Sequence, residues 1–430
     1  MLKSALWKSI LATSMFILFY FFYAIEVVRV NVEDVAFDTV NKFSIYNHQS
    51  NTHSQSVLLF AYDDIYMKAN HLFDEDNRSN YGYLFPRDHI VTFIERLDEL
   101  TTELDEGKSP KALFIDYDMA FSSMPYGKEL SIEDKKLIKV LKKPRIYTIL
   151  LPKTKQSNFI ESSQDTEIQK LIKSGAISFV SVPLLQSDGI VRRYRSTQTF
   201  GEQNPSEAYT STSVALWEIL RDSPRENPFM VNDIIGNRIF LKAYDNGDID
   251  EDGCLTQSSQ WTQLKKYSAH CSLFEIPYDT YDGSVILLGG THSQNHDKFS
   301  TLSVLGSKSF AGVDIHANAL MTMLLLDKPL KRVPIIGSIF IVFFSFFILD
   351  ILLLSLFKKF NFEHEKLSFI LLLVLSTILF YSISTYFLRS YHLWFNWFVP
   401  LIIFQGLELI FLVKKKSTKS IFKIIKILRR

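Results

Sequence analysis

Aspartates follow two apolar runs of this chain at the point where each run ends. The runs are residues 57–62 and 112–115, and the acids behind them are Asp63, Asp64, Asp116 and Asp118. If both runs are parallel strands, their carboxyl ends meet at one edge of a sheet, where open α/β sheets bind ligands. Clustered carboxylates hold metal ions, pair with cations such as Arg87, or perform acid–base chemistry. We therefore expect a ligand site at this edge, with the capping of loops as the alternative.

The second apolar run is followed by the pattern Asp-x-Asp, at Asp116 and Asp118. Phosphatases that use an aspartate nucleophile have the same pattern. Those enzymes carry a threonine two residues later, whereas Ala120 stands there. The P-loop, HExxH and GxSxG motifs are also missing from the sequence. The missing motifs remove the best-known candidates and do not exclude an enzyme; our prediction is a protein without enzyme activity or cofactor. A membrane-tethered hydrolase with Asp116 or Asp118 as its catalytic residue is the alternative.

An acidic segment and two cysteines lie later in the chain. Residues 245–253 match the first half of a calcium loop, but Ser259 stands where the bidentate glutamate is needed. We therefore predict an acidic surface loop and no metal site, with weak calcium binding as the alternative. Cys254 and Cys271 follow this segment and would form one disulfide in an oxidising compartment. Two buried thiols are the alternative.

Apolar runs alternate with helical stretches between residues 26 and 333. The predicted strands include 57–62, 112–115, 145–151, 177–182 and 285–288. The predicted helices include 88–106, 131–141 and 213–221. This order predicts an α/β domain with a mostly parallel or mixed sheet. Ser131 followed by Asp134 predicts a capping box at the start of the second helix.

Four hydrophobic segments flank this region, one before it and three after it. They are residues 9–25, 334–357, 368–388 and 392–413. A membrane-spanning helix needs about 20 apolar residues, and no cleavage motif follows the first segment, which we interpret as a retained signal anchor. Basic residues precede the first segment, separate the second from the third, and follow the fourth. The positive-inside rule then predicts a multi-pass protein of the bacterial inner membrane, with residues 1–8 cytoplasmic and residues 26–333 in the periplasm.

Charged residues mark the cytoplasmic side of these predicted spans. Asp350 and Glu408 lie inside two of the spans, about 9–12 Å above their cytoplasmic ends at the rise of an α-helix. Each carboxylate either reaches the headgroup region or faces the bundle interior or a partner helix. Residues 414–430 hold eight basic residues and no acid. They predict an amphipathic tail on anionic lipid, not on nucleic acid, and we expect no cytoplasmic domain after it.

Several stretches between residues 36 and 330 resemble one known family when they are taken in order. They are VLLFAYDD, LFPRDHIVTFIERL, KALFIDYDMAF, GAISFVSVPLLQSDGIVRRYR, YDGSVILLGGTHSQNHDKFST and FAGVDIHANAL. This series resembles the type-two CHASE domain, the extracellular sensory module of bacterial cyclases, histidine kinases and serine/threonine kinases. The family's architecture of one membrane helix before the domain and three after it is also what the charge pattern predicts.

The resemblance implies a common pocket in the extracytoplasmic domain. The residues that would line or support it are Asp63, Asp64, Arg87, Asp116, Asp118, Asp297, His316 and Asn318. For His316 and Asn318 the alternative is that they only cap the final helix and fix it to the sheet. The segment 241–275 is longer and more acidic than the resemblance leads us to expect.

We therefore expect a non-enzymatic sensory or regulatory protein of the inner membrane. It would bind a small ligand or an envelope component outside the membrane and relay the signal to a separate cytoplasmic or membrane effector. A second copy of the chain is a further candidate partner. The alternatives are the tethered hydrolase and a ligand-free scaffold for an envelope complex.

Overall fold

Two units make up the chain: residues 47–329 form one, and residues 1–46 with residues 330–430 form the other. The computed structural model describes residues 2–22, 26–43, 56–76, 78–81, 85–104, 107–117, 131–153, 174–182, 184–186, 191–199, 208–222, 227–230, 236–241, 247–250, 254–258, 263–295, 297–301, 308–360 and 365–411. Asp118 and the predicted amphipathic tail at 414–430 lie outside these ranges.

The described helices are numbered in chain order across both units. They are α1 (Leu2–Phe22), α2 (Glu26–Phe43), α3 (Asp64–Ala69), α4 (Arg87–Glu103), α5 (Ile132–Leu141), α6 (Thr212–Arg221), α7 (Gly312–Leu326), α8 (Ile335–Phe360), α9 (Glu365–Tyr391) and α10 (Phe398–Phe411). Helices α3 to α7 belong to unit 47–329, and the others belong to the second unit.

A mostly parallel sheet forms the centre of unit 47–329. The strands are β1 (Val57–Tyr62), β2 (Ala112–Ile115), β3 (Thr148–Pro152), β4 (Ile177–Val180), β5 (Leu184–Gln186), β6 (Val191–Tyr194), β7 (Thr197–Thr199), β8 (Ala208–Thr210), β9 (Asp248–Ile249), β10 (Leu255–Ser258), β11 (Leu264–Ser268), β12 (Val285–Gly290), β13 (Lys298–Thr301) and β14 (Lys308–Ala311). Eight of them pair in the order β4–β3–β2–β12–β1–β11–β10–β9. The six strands from β4 to β11 in this order are parallel, and β10 and β9 are antiparallel. The predicted α/β fold with a mostly parallel sheet is confirmed.

One face of the sheet packs against α4 and α5. Leu58, Phe60 and Tyr62 alternate along β1 and share one apolar core with Ile94 of α4 and Leu137 of α5. Alternate residues of a strand point to opposite faces, so the strand's other residues face away from this core. Because both faces are covered, the inner strands read in the sequence as unbroken apolar runs.

The predicted capping box at the start of α5 is present. The Asp134 N–H donates to Ser131 Oγ at 2.9 Å, and the Ser131 N–H donates to the Asp134 carboxylate at 3.3 Å. These two bonds satisfy N–H groups that have no partner within the helix. The predicted start of α5 is therefore confirmed to within one residue.

Helix α7 packs against β1, β12 and α6. Every one of its residues except Leu325 is buried. Its first turn lies against the end of β12, where a Cβ atom on Gly289 would be 2.7 Å from the Val313 Cβ. Real Cβ contacts are essentially never so short, so the close approach of strand and helix requires glycine at position 289.

A disulfide joins Cys254 and Cys271, whose Cα atoms are 4.7 Å apart. Both residues are buried. Cys254 directly precedes β10 and Cys271 lies just beyond β11, so the bond ties together the ends of two neighbouring antiparallel strands. The crosslink therefore supports the antiparallel edge of the sheet, which has only the short strand β9 beyond it.

Two helices of the second unit are long and apolar enough to cross a bilayer, judged by length and composition. Their apolar stretches are Ile335–Leu352 in α8 and Ile370–Tyr391 in α9. The first and fourth predicted membrane segments correspond to shorter apolar stretches, Ala5–Tyr20 and Phe398–Phe411. The prediction of four membrane helices is therefore confirmed only in part, because two stretches within the described ranges fall below the usual spanning length.

Small side chains line the contact between α1 and α8. Ala5, Ser9 and Ala12 recur along one side of α1 and are fully buried, and Ser338 and Val342 are buried on α8. Small residues at this spacing let two helix backbones approach closely, which is the usual basis of helix association in membranes. Helix α1 is thus an integral part of this unit.

We expect loss of the disulfide to destabilise unit 47–329. Replacing both Cys254 and Cys271 with Ser should lower the free energy of unfolding by about 3 kcal/mol, because the crosslink closes a loop of 17 residues in the unfolded chain. Urea unfolding of the detergent-purified full chain, followed by near-ultraviolet circular dichroism, measures this. A reductant should destabilise the unmodified chain equally and leave the double variant unchanged. Equal stability of both proteins under oxidising conditions would contradict the prediction.

Candidate functional site

The carboxyl ends of β1, β2, β11 and β12 meet at one edge of the parallel sheet. Asp63 and Asp64 directly follow β1, and Asp116 directly follows β2. The Asp116 N–H donates to the Leu288 carbonyl at 2.8 Å, which keeps this residue beside β12. Three of the four acids predicted for this edge therefore lie there, and the fourth, Asp118, is outside the described residues.

The acids after β1 hold neighbouring segments together. Asp63 is the N-cap of α3, and its carboxylate accepts hydrogen bonds from the Tyr66 N–H at 2.9 Å and the Ser268 hydroxyl at 2.8 Å. Burial raises the pKa of Asp63, while these two hydrogen bonds and the charge of Lys266 lower it. Asp64 accepts a hydrogen bond from the Ser293 N–H at 2.7 Å. Asp63 and Asp64 thus fasten β11 and the segment after β12 to the end of β1.

A second group of acids surrounds the N-terminus of α7. Asp314 is the third residue of the helix, and its carboxylate accepts a hydrogen bond from the Ala311 N–H at 3.3 Å. Burial raises the pKa of Asp116 well above its usual range, and the negative charges of Asp297 and Asp314 raise it further. These three carboxylates therefore interact electrostatically, and Asp116 resists ionisation.

Asp297 lies directly against the first turn of α7. The Gly312 N–H donates to the Asp297 carbonyl at 3.0 Å. Desolvation against the helix raises the pKa of the Asp297 carboxyl although the residue as a whole is exposed, and the Gly312 N–H lowers it. A Cβ atom on Gly312 would lie 2.8 Å from Asp297 Cγ and closer still to its Oδ2. A methyl group at position 312 would therefore displace the Asp297 carboxyl from its place.

The cation that faces this group is Lys266 of β11. Its Nζ lies 3.3 Å from Asp314 Oδ1, and the two side chains are only 12% and 7% exposed. Lys266 and Asp314 were not among the residues predicted from the sequence. Asp314 stands inside the GVDIHANAL stretch and occupies the third helical position, which favours acids. The sequence offers no comparable signal for Lys266, which directly follows the exposed Lys265 in β11.

Arg87 is the first residue of α4 and is almost completely buried. Its Nε lies 3.7 Å from Asp134 Oδ1, and the Asp134 side chain is inaccessible to solvent. Since Asp134 also caps α5, this ion pair connects the beginnings of α4 and α5. Arg87 therefore has a structural partner outside the four predicted acids.

His316 and Asn318 lie within α7 and are buried. The His316 ring packs edge-on against Phe114 of β2, with ring centres 5.6 Å apart. Burial lowers the pKa of His316 to about 4. The Asn318 side chain donates to the Asp314 carbonyl at 2.8 Å. The His316 contact joins the helix to the sheet, whereas the Asn318 bond lies within the helix itself.

An aromatic cluster lies beside Asp116. Phe85 stacks on Tyr117 with ring centres 4.8 Å apart, and Tyr62 contacts both rings. The Tyr66 hydroxyl and His89 Nδ1 are 2.7 Å apart at the same end of β1. The Tyr117 hydroxyl is buried without a hydrogen-bond partner among the described residues. The edge thus combines acids around α7 with an aromatic wall between β1 and β2.

The chemistry of this edge follows from its charge. Within the described ranges, no group of three or more His, Cys, Asp or Glu side chains is arranged to hold a metal ion. Among the described residues, the carboxyl groups of Asp116, Asp297 and Asp314 outnumber Lys266, so a cationic ligand would favour their ionised form and a hydrogen-bond donor would find acceptors there. A change of charge there acts directly on the N-terminus of α7, whose dipole is positive.

The family model of the CHASE2 domain matches residues 13–353. The chain belongs to the CHASE2 family. CHASE2 domains are extracellular sensory domains, so the resemblance seen in the ordered sequence stretches is confirmed. No curated protein and no solved structure matches the chain. The family and the two apolar helices together indicate a membrane protein that carries a CHASE2 sensory domain.

We expect Gly312→Ala to destabilise the site through Asp297. The added methyl group should displace the Asp297 carboxyl from the helix N-terminus and lower the free energy of unfolding by about 1 kcal/mol, the low end for overpacking, because this carboxyl ends an exposed side chain that can move away. Urea unfolding of the full chain measures this cost. In an Asp297→Ala background the cost of the same substitution should be less than half as large, because the clashing group is gone. An equal cost in both backgrounds would show that Asp297 is not the group displaced.

We expect His316 to make stability depend on pH. Because its pKa is lower in the folded than in the unfolded chain, the unfolded state binds the extra proton as the pH falls below 6.5. The stability lost by pH 4 through this residue is roughly 3 kcal/mol, and His316→Gln should remove that loss. Urea unfolding between pH 4 and pH 7 measures it, with the exposed His270→Gln as control. Parallel pH profiles for the His316 variant and the unmodified chain would contradict the prediction.

Proposed function

We propose that this protein is a non-enzymatic sensor of the bacterial inner membrane. Unit 47–329 binds a stimulus outside the membrane at the acidic sheet edge, and the helical unit relays it to a separate effector protein. The family supports the sensory role. The excess of acids around Lys266 supports a ligand that carries a cationic or hydrogen-bond-donating group, either a small molecule or part of the envelope.

The observation that carries this proposal is the position of α7. Its N-terminus holds Asp297 and Asp314 beside Asp116, and only residues 327–334 separate its C-terminus from α8 in the chain. A helix buried on nearly every side moves as a rigid body, because close-packed interiors do not deform gradually. A ligand that prefers one position of α7 over another would thereby bias α8.

The proposed topology has four membrane-spanning helices, α1, α8, α9 and α10. The small-residue contact between α1 and α8 supports a retained α1 that spans with the others. The disulfide between Cys254 and Cys271 supports a periplasmic location for unit 47–329, since such bonds persist in oxidising compartments. The N-terminus and the basic tail would then contact the cytoplasmic leaflet, in agreement with the positive-inside rule.

We expect a separate effector to accompany the full chain in its own membrane. Gentle detergent extraction from the native cells, affinity purification and mass spectrometry should recover a partner with a cytoplasmic catalytic domain in near-equal molar amounts. Asp116→Asn combined with Asp297→Asn should change the recovered amount or activity of this partner at least about twofold, because both carboxyl groups belong to the proposed ligand site at the start of α7.

The half-exposed Asp88 of α4 offers a control, since Asp88→Asn changes a carboxylate that lies away from α7. This variant should recover the partner as the unmodified chain does. No partner in repeated trials with a cross-linker would contradict the relay. A partner that responds equally to both sets of substitutions would contradict the role of the α7 edge.

A further inference from the structure

Three charged side chains from three helices meet inside the helical unit. Lys8 of α1 places its Nζ 3.3 Å from Asp350 Oδ1 of α8 and 2.5 Å from Glu408 Oε1 of α10. The Asp350 and Glu408 side chains are only 5% and 14% exposed. Lys8 also lies over the Phe411 ring, 5.3 Å from its centre. Both predicted intramembrane acids therefore face the bundle interior and share one lysine.

The charges of this Lys8–Asp350–Glu408 triad do not balance. One ammonium group faces two carboxyl groups, so full ionisation would leave one uncompensated negative charge. Helix α9 does not supply the missing positive charge through its described side chains, at positions 370–391. The only charged residue among them is Arg389, in the last turn of the helix, at the end opposite to residue 365. An unpaired charge inside a bilayer costs several kcal/mol.

The oxygens of Asp350 show where the excess charge would reside. Asp350 Oδ2 is closed off from solvent and has no hydrogen-bond partner among the described residues. A carboxylate oxygen in this position would be desolvated without compensation, whereas a neutral carboxyl group costs far less to bury. The distances agree, because Lys8 is closer to Glu408 than to Asp350.

Glu33 in the same unit shows the contrasting arrangement. Its Oε1 lies 3.3 Å from the Arg332 guanidinium, and its Oε2 accepts a hydrogen bond from the Trp394 indole N–H. Both oxygens of this buried carboxylate therefore have donors, and its charge has a counter-ion. A buried acid of this unit can thus have a donor for each of its two oxygens. Among the described residues, Asp350 has a donor for Oδ1 alone.

We propose that Asp350 is a proton-binding site, in which a proton on Oδ2 leaves Lys8 and Glu408 as a neutral ion pair. A cationic side chain from another protein does not reach Oδ2 while this oxygen is enclosed, whereas a proton does. Glu408 is the more exposed acid and offers the route for exchange with water.

Release of the proton would change how the three helices are held together. Two carboxylates would then compete for Lys8, and like charges in a low-dielectric site repel strongly. The triad would hold α1, α8 and α10 together while Asp350 is protonated and loosen them when it ionises. In the proposed topology this end of the bundle faces the cytoplasm, so the site would respond to cytoplasmic pH or to an effector that opens it.

Infrared spectroscopy of the full chain in lipid nanodiscs at pH 7 tests this proposal through the C=O stretch of protonated carboxyl groups. Asp350→Asn should remove one carboxyl group's share of this band. Glu408→Gln should also remove it, because Asp350 then ionises to balance Lys8. Lys8→Met should increase the band, because Glu408 then loses its counter-ion and takes up a proton.

The control is Glu33→Gln, which should leave the band unchanged because Glu33 has both a counter-ion and a second donor. An Asp350→Asn spectrum identical to that of the unmodified chain would overturn the proposal. Asn resembles a protonated Asp in size and charge, so this variant should also keep the unmodified thermal midpoint. A large loss of thermal stability in Asp350→Asn, with Glu408→Gln tolerated, would reverse the assignment and overturn the proposal too. None of these readouts depends on the ligand or the effector.

Discussion

The close approach between β12 and α7 is the contact on which unit 47–329 depends. Gly289 has no side chain, so the first turn of α7 lies directly on the strand and Val313 fills the space. The same approach brings Asp297 and Asp314 near Asp116, because all three stand where β2, β12 and the helix converge. Packing and electrostatics are therefore coupled at this point, and neither changes without the other.

Much of the fold is predictable from the sequence because its signals are local. The inner strands are unbroken apolar runs, and the start of α5 carries a capping box that the structure contains. The pairing of β12 between β1 and β2 is not predictable in this way, since strand order depends on contacts between distant residues. The positions of β10 and β11 at the antiparallel edge are not predictable either, because both strands have mixed polarity and resemble surface loops.

The candidate site is only partly predictable, since residue type does not distinguish a ligand contact from a structural one. Asp63 lies at the predicted sheet edge yet caps α3, and Arg87 pairs with Asp134. Lys266, the cation beside the acids, belongs to a strand that was not predicted. The same limit applies to the helical unit, where Lys8 looks like an ordinary basic residue before a membrane segment. Its inward contact with Asp350 and Glu408 emerges only when three distant segments come together.

The place of β12 in the sheet also sets the order in which the nascent chain acquires its structure. Strand β1 has no neighbour in the sheet until β11 and β12 have been synthesised, some two hundred residues later. During that interval an apolar strand keeps both edges open, which favours association with other chains. Pairing over such a distance is also slow. The sheet therefore becomes complete only late in synthesis, shortly before α7 and the apolar helix α8 follow, and in the proposed topology the unpaired strand needs protection until then.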